Sequence, residues 1–470
     1  MARKAPTASA LHWPTAWRNS FSAERVIPPL SGLLRPLPAH CAAVPLPAQT
    51  EDLVTAIISD DLPAATQVRE KLLLWSLAAV NFTHIVDFMI MMPLGPELTR
   101  LFQITDAQFG VLVSAYSLAA GVSGLMASLV IDRFERKRAL LLLYAGFTVA
   151  TLACGLAPSY GALMLARIAA GVFGGVLGAL VQTIVGDAIP FERRGQAMGV
   201  VMSAFSMSTV AGVPLSLWLA SQGGWHVPFI AIAVVSVGVW LLAGRAVPVL
   251  NQHMAVPSRR APWADLRQVL ANANHWRAFA LSSLIVAGSF SIIPYITIYT
   301  TTNVGLTAKQ VPLIYLAGGL ATLFTSRLWG RLADRWGKVP TFRLVSAIAA
   351  LPMLALTYLP HVPMWTVLIV TTAFFVFVSG RMVPGMALMT AAPPASMRGA
   401  FMSVNGALQS ATMGLAAWLG GALISRTPEG LVQGYERCGW LAVFTTVLMW
   451  WWVGQLRLQS APKAVSQARI

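Results

Sequence analysis

Apolar stretches of roughly 20 residues recur along the chain from Leu72 onward, each about long enough to cross the hydrocarbon core of a bilayer as a helix. Short polar turns, such as Ala157-Pro158-Ser159, separate them. The pattern indicates an all-α membrane protein. It predicts twelve transmembrane helices, at residues 72–93, 107–131, 138–157, 160–187, 195–220, 225–247, 276–300, 310–331, 340–360, 363–391, 399–424 and 438–457.

The longest internal loop divides the twelve predicted helices into two sets of six. This loop contains basic residues and prolines, and residues 263–271 within it predict either a short interfacial helix or part of a solvated basic linker. Residues 1–68 are Pro-rich, with no apolar run long enough to span a membrane or to form a signal peptide, and we expect a disordered cytoplasmic tail. The predicted parts are therefore the tail 1–68, an N-terminal bundle 69–247, a central cytoplasmic loop 248–275, a C-terminal bundle 276–458 and a cytoplasmic tail 459–470.

Basic residues set the predicted orientation. The net charge of +16 would suggest a nucleic-acid partner in a soluble domain, but here the Lys and Arg side chains lie between apolar segments. One alternating set of connections is rich in them and the other carries only Arg100, Lys309, Arg426 and Arg437. Because basic residues are retained on the cytoplasmic side, we expect a multi-pass protein of the cell inner membrane with both termini in the cytoplasm.

Composition supports a bilayer partner and gives no sign of a cofactor. Hydrophobic residues make up 56% of the chain and charged residues 11%, which is more apolar surface than a soluble protein of this length would bury. The widely separated Cys41, Cys154 and Cys438 indicate neither a disulfide framework nor a metal site. No phosphate-binding GxxxxGK[ST] loop occurs, so uphill transport would have to draw on an ion gradient.

Two local patterns repeat at matching places in the two halves. The segment 128–137 follows the second predicted helix and the segment 330–338 follows the eighth, each with an Asp-Arg pair. Likewise, proline followed by Arg194-Gly195 opens the fifth helix, and Pro393-Pro394 followed by Arg398-Gly399 opens the eleventh. Internal duplication of this kind is typical of transporters and predicts two pseudo-symmetric six-helix bundles.

The repeated loop resembles a motif of the major facilitator superfamily, and the resemblance covers residues 71–458. Gly330-Arg-Leu-Ala-Asp334-Arg335-Trp-Gly337-Lys338 is similar to the family's G-x-L-a-D-R-x-G-[RK] loop. In the first half, Ser128 and Glu135 stand at the two glycine positions. The resemblance implies a cytoplasmic gate in which Asp132 approaches Arg398 and Asp334 approaches Arg194; the alternative is solvated loop charges. The implied gate residues are Asp132, Arg133, Arg136, Arg194, Gly330, Asp334, Arg335, Gly337, Lys338 and Arg398.

Two further matches resemble the branch that contains drug:proton antiporters and sugar-efflux carriers. Residues 163–171 resemble the family's helix 4 motif with its embedded arginine, here Arg167. Ala211-Gly212-Val-Pro214-Leu resembles the helix 5 motif of antiporters, although Ser216 stands where glycine is common. Gly212 and Pro214 predict a bend in helix 5, because proline removes a backbone donor and glycine permits close packing.

Asp87 is the first candidate for ion coupling, since it lies in the middle of the first predicted transmembrane helix. A buried carboxylate is costly there unless it is paired or hydrated, so such residues usually face a cavity. Asn81, His84, Asp87 and Met91 share one helical face by their spacing. Asp87, with His84 sharing its proton, could couple proton uptake to a conformational change. The alternative is a helix–helix hydrogen bond, with His84 as a packed polar residue.

Arg167 and Arg381 are basic residues within predicted helices 4 and 10, which the resemblance places around a central cavity with helices 1 and 7. Arg167 lies 27 residues before Arg194 and Arg381 17 before Arg398, so Arg381 should lie about 15 Å nearer the cytoplasm. Arg167 could neutralise Asp87 or an anionic cargo, or form a fixed structural ion pair; the alternative for Arg381 is snorkelling to the interface. The cavity hydrogen bonders expected on helix 7 are Ser289, Tyr295 and Thr297.

The function predicted from the sequence is proton-coupled efflux of a small organic solute, drug-like or sugar-like, by a monomeric secondary transporter. Proton symport and facilitated uptake remain open. A membrane enzyme would show clustered catalytic or metal-binding side chains, which the sequence lacks. A membrane sensor would need a sizeable soluble output domain.

Overall fold

Twelve long helices make up most of the chain that the structure describes. The computed structural model describes residues 64–190, 193–251, 262–394 and 397–458. Within them we number the long helices in chain order. They are α1 Ala64–Ile90, α2 Asp106–Val130, α3 Arg136–Gly155, α4 Tyr160–Ala188, α5 Arg194–Gly223, α6 His226–Ala246, α7 Ala273–Thr302, α8 Val311–Trp336, α9 Lys338–Thr357, α10 Met364–Ala391, α11 Arg398–Leu423 and α12 Tyr435–Trp452. The short elements are helices Gly95–Leu101 and Pro262–Ala271, 3-10 turns Ile131–Arg133 and Val453–Gln455, and an antiparallel hairpin of β1 Ser425–Arg426 and β2 Val432–Gln433.

The predicted all-α membrane fold is confirmed, with every predicted helix present among the described residues. Ten of the twelve helices are long and apolar enough, by length and composition alone, to cross a membrane. The other two are α11 and α12. Helix α11 packs along α2 and α7, so much of its surface faces protein, and it carries Asn405 and Gln409. A helix that faces other helices needs fewer apolar side chains than one that faces lipid.

Four hydrophobic clusters make up the core of the described residues, three large ones and a small one of Tyr116, Ala120, Ala150 and Ala170. One lies wholly in the N-terminal half, between residues 73 and 250, and a second is formed by buried residues 269–453 of the C-terminal half. The third draws on both halves, from Val86 to Ala442. We name the two faces of the bundle by the predicted orientation, in which α1 runs toward the external face. On that basis the shared cluster joins the two halves toward the predicted external face.

Two helices are locally irregular, and proline explains both. In α5, a π-helical turn at Ser208–Gly212 precedes Pro214, with the Val213 N–H donating to the Ser208 carbonyl. Pro214 lacks the N–H of an α-helix, and the wider turn accommodates this loss. Helix α7, predicted as continuous, is interrupted: its first segment ends at Phe290, and a 3-10 turn at Ile293–Tyr295 contains Pro294.

Boundaries differ from the prediction in two places that affect function. Helix α1 begins at Ala64, so the end of the predicted tail is helical; the rest of that tail lies outside the described residues. Helix α1 also ends at Ile90, which puts Asp87 three residues from its end rather than near its middle. In the central loop, Pro262–Ala271 is helical and buries Val269 against the C-terminal half.

Candidate functional site: a buried ion pair and its surroundings

Asp87 and Arg167 form an ion pair in the interior of the N-terminal bundle. The Arg167 Nη1 atom lies 2.9 Å from Asp87 Oδ2, and it also donates to the Asp87 carbonyl oxygen at 3.3 Å. The two side chains are 0% and 1% exposed. Each ion therefore has a charged partner, as burial of charge in a low-dielectric interior requires. Of the pairings predicted for Arg167, the structure shows the one with Asp87.

Tyr116 of α2 covers the guanidinium of this pair. The Arg167 Cζ atom lies 4.4 Å from the centre of the Tyr116 ring, a cation–π contact. The arrangement depends on Gly171, because a Cβ atom there would clash with the Tyr116 carbonyl oxygen. Glycine thus allows the backbones of α2 and α4 to touch, and this contact places the ring over the charge.

The site leaves several buried polar atoms without hydrogen bonds to the described residues. They include Asp87 Oδ1, Arg167 Nε, His84 Nδ1 and the Tyr116 hydroxyl. Thr151 of α3 lies beside Asp87, yet its Oγ1 is also unpartnered. An unsatisfied buried polar group costs about 1–3 kcal/mol. The charges of the pair therefore balance, while several of its polar atoms keep free hydrogen-bonding capacity.

The sequence did not single out Tyr116, Thr151 or Cys154, the other residues of this site. Cys154 lies near both ions and is buried. Polar residues in an apolar helix are common, and which face of α2 or α3 turns toward Asp87 depends on how those helices pack. The single available signal was the presence of a hydroxyl in each predicted helix, and many other residues share it.

Arg381 lies in a separate site within the C-terminal bundle. It is 0% exposed, so the snorkelling alternative is wrong. Its Nη2 donates to Ser289 Oγ at 2.8 Å and to the Ile285 carbonyl at 3.1 Å, and its Nη1 donates to Thr446 Oγ1 at 3.2 Å. Arg381 and Ser289, both predicted to line a central cavity, are therefore in contact, and the hydrogen bonds of Arg381 do not include one to Asp87.

The remaining predicted cavity residues have other partners. Asn81 donates to the Val201 carbonyl of α5 at 3.4 Å, and the Thr297 hydroxyl lies 2.9 Å from that of Tyr315 on α8. Met91 is fully buried in the shared hydrophobic cluster. The predicted cavity residues thus contact several different partners in this structure.

An ion pair and a hydrogen bond join the two halves toward the predicted external face. Asp106, in the first turn of α2, forms a two-pronged ion pair with Arg426 of β1, with N–O distances of 2.8 and 2.9 Å. Ser114 of α2 donates to the Gly414 carbonyl of α11. Within the C-terminal half, the Tyr295 hydroxyl of α7 donates to the Ala417 carbonyl of α11. The two contacts between the halves hold α2 against α11 and β1, and the sequence analysis predicted neither of them.

The Asp106–Arg426 pair is positioned by secondary structure on both sides. The Thr105 side chain caps α2 and fixes Asp106 at the helix N-terminus, where a carboxylate is favoured by the helix dipole. The β1–β2 hairpin is held by Asn303, whose side chain bonds both the N–H and the carbonyl of Val432 at 2.9 and 2.8 Å. The hydrogen bonds that Arg426 donates to the Asp106 carboxylate raise the pKa of Arg426, so the cation persists.

One of the two ion pairs predicted for the cytoplasmic gate, Asp334 with Arg194, is not formed among the described residues. Asp334 is exposed and pairs with no residue that the structure describes, Arg194 included. The side chain of Asp132 lies outside the described set. Arg136 instead pairs with Asp187 of α4 at 3.0 Å, within its own half. The exposed members are Arg133, Arg335, Lys338 and Arg398.

The two loops that carry the repeated motif turn by different means. Gly337 joins α8 to α9 with φ +91°, a conformation that favours glycine. Glu135 stands at the matching place with an extended backbone, and its carboxylate accepts from the N–H groups of Lys137, Arg138 and Leu250. Partial burial opposes the ionised carboxylate, but these hydrogen bonds outweigh it and lower the pKa of Glu135. The missing glycine is thus replaced by a helix cap.

The sequence of this chain is similar to those of known membrane transporters. The sequence profile of the Major Facilitator Superfamily matches residues 77–417 and 279–466. The uncharacterised MFS-type transporter YceJ of Bacillus subtilis is 26% identical over 80% of this chain and 93% of its own length. A chloramphenicol efflux pump of Mycobacterium tuberculosis is 25% identical over 56% of this chain and 63% of its own.

Solved structures agree on the fold. A bacterial homologue of the human lysosomal transporter Spinster, crystallised in an inward-facing and unoccupied conformation, superposes with a TM-score of 0.63 at 15% sequence identity. The match covers 84% of this chain and 99% of that one.

Proposed function

The chain belongs to the major facilitator superfamily of membrane transporters, and on that premise we propose that it is a proton-coupled efflux carrier for a small organic solute. That it is a membrane transporter and not an enzyme follows from the family and the named relatives. Proton coupling and export are the proposal. The observation that carries it is the buried Asp87–Arg167 pair with a carboxylate oxygen left unpartnered.

Protonation of Asp87 would change the charge balance of this site. The ionised carboxylate neutralises Arg167, so the site is stable while it excludes water. A proton on Asp87 removes that compensation and leaves Arg167 as a buried, unpaired cation. The protonated bundle should then favour a state in which Arg167 gains water or an anionic partner, which couples proton uptake to a change of conformation.

Alternating access is supported by the unequal closure of the two faces. On the predicted external side an ion pair and the Ser114–Gly414 hydrogen bond join the halves, while Asp334 at the other side has no ionic partner among the described residues. We infer an inward-facing state. In the opposite state, Asp334 would approach Arg194, the external contacts would break, and the solute would leave.

The direction of transport is inferred from a named relative. The Mycobacterium tuberculosis protein is called a chloramphenicol efflux pump, which favours export of a drug-like compound here. Proton symport remains the competing mechanism, and the direction of flux under an imposed gradient separates the two.

The test is proton-driven flux in reconstituted vesicles. Purified protein is placed in liposomes with an imposed pH gradient, and uptake of drug-like and sugar-like compounds is compared for the parent, Asp87→Asn and Glu436→Gln. We expect Asp87→Asn to lose gradient-driven accumulation. Glu436→Gln, a matched change in the first turn of α12, should retain it. Unchanged gradient dependence in Asp87→Asn would refute the coupling role.

A further inference from the structure

A buried cation in the C-terminal bundle has no counter-ion. The guanidinium of Arg381 is fully buried, and its three acceptors, the Ser289 and Thr446 hydroxyls and the Ile285 carbonyl, are all neutral. The only carboxylates in the sequence from residue 273 to residue 458 lie near helix ends or in the hairpin. They are Asp334, Glu429 and Glu436. The interior of this bundle therefore carries a positive charge that the chain itself does not balance.

The N-terminal bundle shows the contrast. There, Arg167 of α4 has Asp87 at 2.9 Å and the face of Tyr116 above it. Helix α10 occupies the matching place in the second half, but its arginine has hydroxyls where α4 has a carboxylate. An unpaired charge at membrane depth costs several kcal/mol, and such residues usually mark a binding site or an ion pathway.

Arg381 retains hydrogen-bonding capacity for a ligand. A guanidinium has five N–H donors, of which three are engaged here, and its Nε has no partner among the described residues. A carboxylate matches this group better than any neutral acceptor, because it supplies both two oxygens and the missing charge. The hydroxyls of Ser289 and Thr446 now donate to the Ile285 and Ala442 carbonyls of their own helices, and each would have to rotate away from its carbonyl to donate to the same anion.

The position within the fold suits a cargo site. Ser289 lies immediately before the interruption of α7, whose first segment ends at Phe290. Substrate sites of transporters of this kind are commonly built where a transmembrane helix is discontinuous. Arg381 lies ten residues before the end of α10 at Ala391, or about 15 Å along the helix from that end.

We propose that Arg381, Ser289 and Thr446 form a carboxylate-binding site, so that the transported solute is an organic monoanion. The assignment rests on the proposed transport function and adds the substrate class. Arriving as the counter-ion, the carboxylate lowers the free energy of the buried guanidinium. An uncharged analogue of the same size lacks that effect.

Binding to the full-length protein in nanodiscs tests this proposal without any gradient. Thermal unfolding is followed by tryptophan fluorescence with benzoate, phenylacetate, salicylate and octanoate, each against its amide. At least one acid should raise the melting temperature of the parent while its amide does not. Arg381→Gln should bind that acid at least tenfold more weakly, and Arg381→Lys should fall between.

The ligand-free proteins give a second readout. If Arg381 is an uncompensated cation held for a ligand, Arg381→Gln should melt at or above the parent. Arg167→Gln, which strands the Asp87 carboxylate, should melt below it. The proposal is overturned if no acid is preferred over its amide, if Arg381→Gln keeps the acid-induced shift, or if it melts as far below the parent as Arg167→Gln.

Failure of the coupling mechanism would look different. Asp87→Asn should retain the acid-induced shift, because binding at Arg381 requires no proton gradient. Unchanged gradient dependence of flux in Asp87→Asn, together with an acid-induced shift in the parent, would refute the coupling role alone. Loss of gradient dependence in Asp87→Asn, with no acid preferred over its amide in the parent, would refute the Arg381 assignment alone.

Discussion

The ion pair between Asp106 and Arg426 should control how often the predicted external face opens. Its removal by Arg426→Gln takes away two charge-assisted hydrogen bonds between the halves. Asp106 is almost completely buried, so the substitution also leaves a carboxylate without its cation in the closed state. Opening that face would hydrate the stranded carboxylate, and we expect the variant to favour the outward-open state.

The magnitude follows from the geometry. A two-pronged arginine–carboxylate pair is stronger than an ordinary surface pair, but Arg426 is 39% exposed and water screens part of the interaction. We take the contribution as about 1–2 kcal/mol, which corresponds to a change of roughly 5- to 30-fold in the ratio of closed to open molecules.

The assay is a distance measurement across the predicted external face. Spin labels at Leu101→Cys and Glu429→Cys, both at exposed positions on opposite halves, report the separation by double electron–electron resonance. They are introduced after the natural cysteines are replaced. Arg426→Gln should raise the fraction of molecules with a long distance between the labels. Arg426→Lys keeps the charge but cannot form the two parallel hydrogen bonds of a guanidinium, so it should raise this fraction less.

A double substitution distinguishes the loss of the Asp106–Arg426 ion pair from a general loss of stability. Asp106→Asn combined with Arg426→Gln removes the stranded carboxylate, so it should open the face less than Arg426→Gln alone. If neither variant changes the distance distribution, the pair does not hold this face closed and our account of the external closure is wrong.

Two further substitutions test packing and capping. Gly171→Ala should lower the melting temperature of the purified protein or prevent its folding, since a Cβ atom there meets the Tyr116 backbone. Gly178→Ala is the control and should do neither, because Gly178 has open space around it. Equal melting temperatures of the two variants would contradict the close approach of α2 and α4. Glu135→Gln should cost about 1 kcal/mol of stability near neutral pH by weakening the cap of α3. Because the folded-state pKa of Glu135 is lowered, its contribution to stability is present above the unfolded pKa near 4.5 and is lost as the pH falls through the folded pKa. The melting curves of parent and variant should therefore converge in acid. A difference in melting temperature that stays constant with pH would reject this role.

The sequence by itself determined the membrane fold. Twelve apolar runs of helical length can satisfy their backbone hydrogen bonds in lipid only as helices, so their number and order could be read from the chain. The ionisable side chains within those runs marked Asp87 and Arg167, because charge at membrane depth needs a partner. Apolar runs and the charged residues within them are local features of the sequence, and they can be recognised without knowing how the helices pack.

Other features depended on contacts between distant segments. The sequence contained Asp106 and Arg426, but 320 residues separate them, and they meet only because Thr105 caps α2 and Asn303 anchors the hairpin. Helix positions were also uncertain by a few residues, which was enough to misplace Asp87 along α1. A shift of one residue turns a side chain by about 100°, so the sequence could not decide which polar residues face one another.

The difference between the two buried arginines was likewise decided by tertiary structure. From sequence alone, Arg167 and Arg381 are both single cations in apolar helices. Packing gives the first a carboxylate and an aromatic ring, and gives the second two hydroxyls and a carbonyl. The sequence fixes which charges exist inside the membrane, but the counter-charge of each depends on helix register and rotation, which only the folded bundle sets.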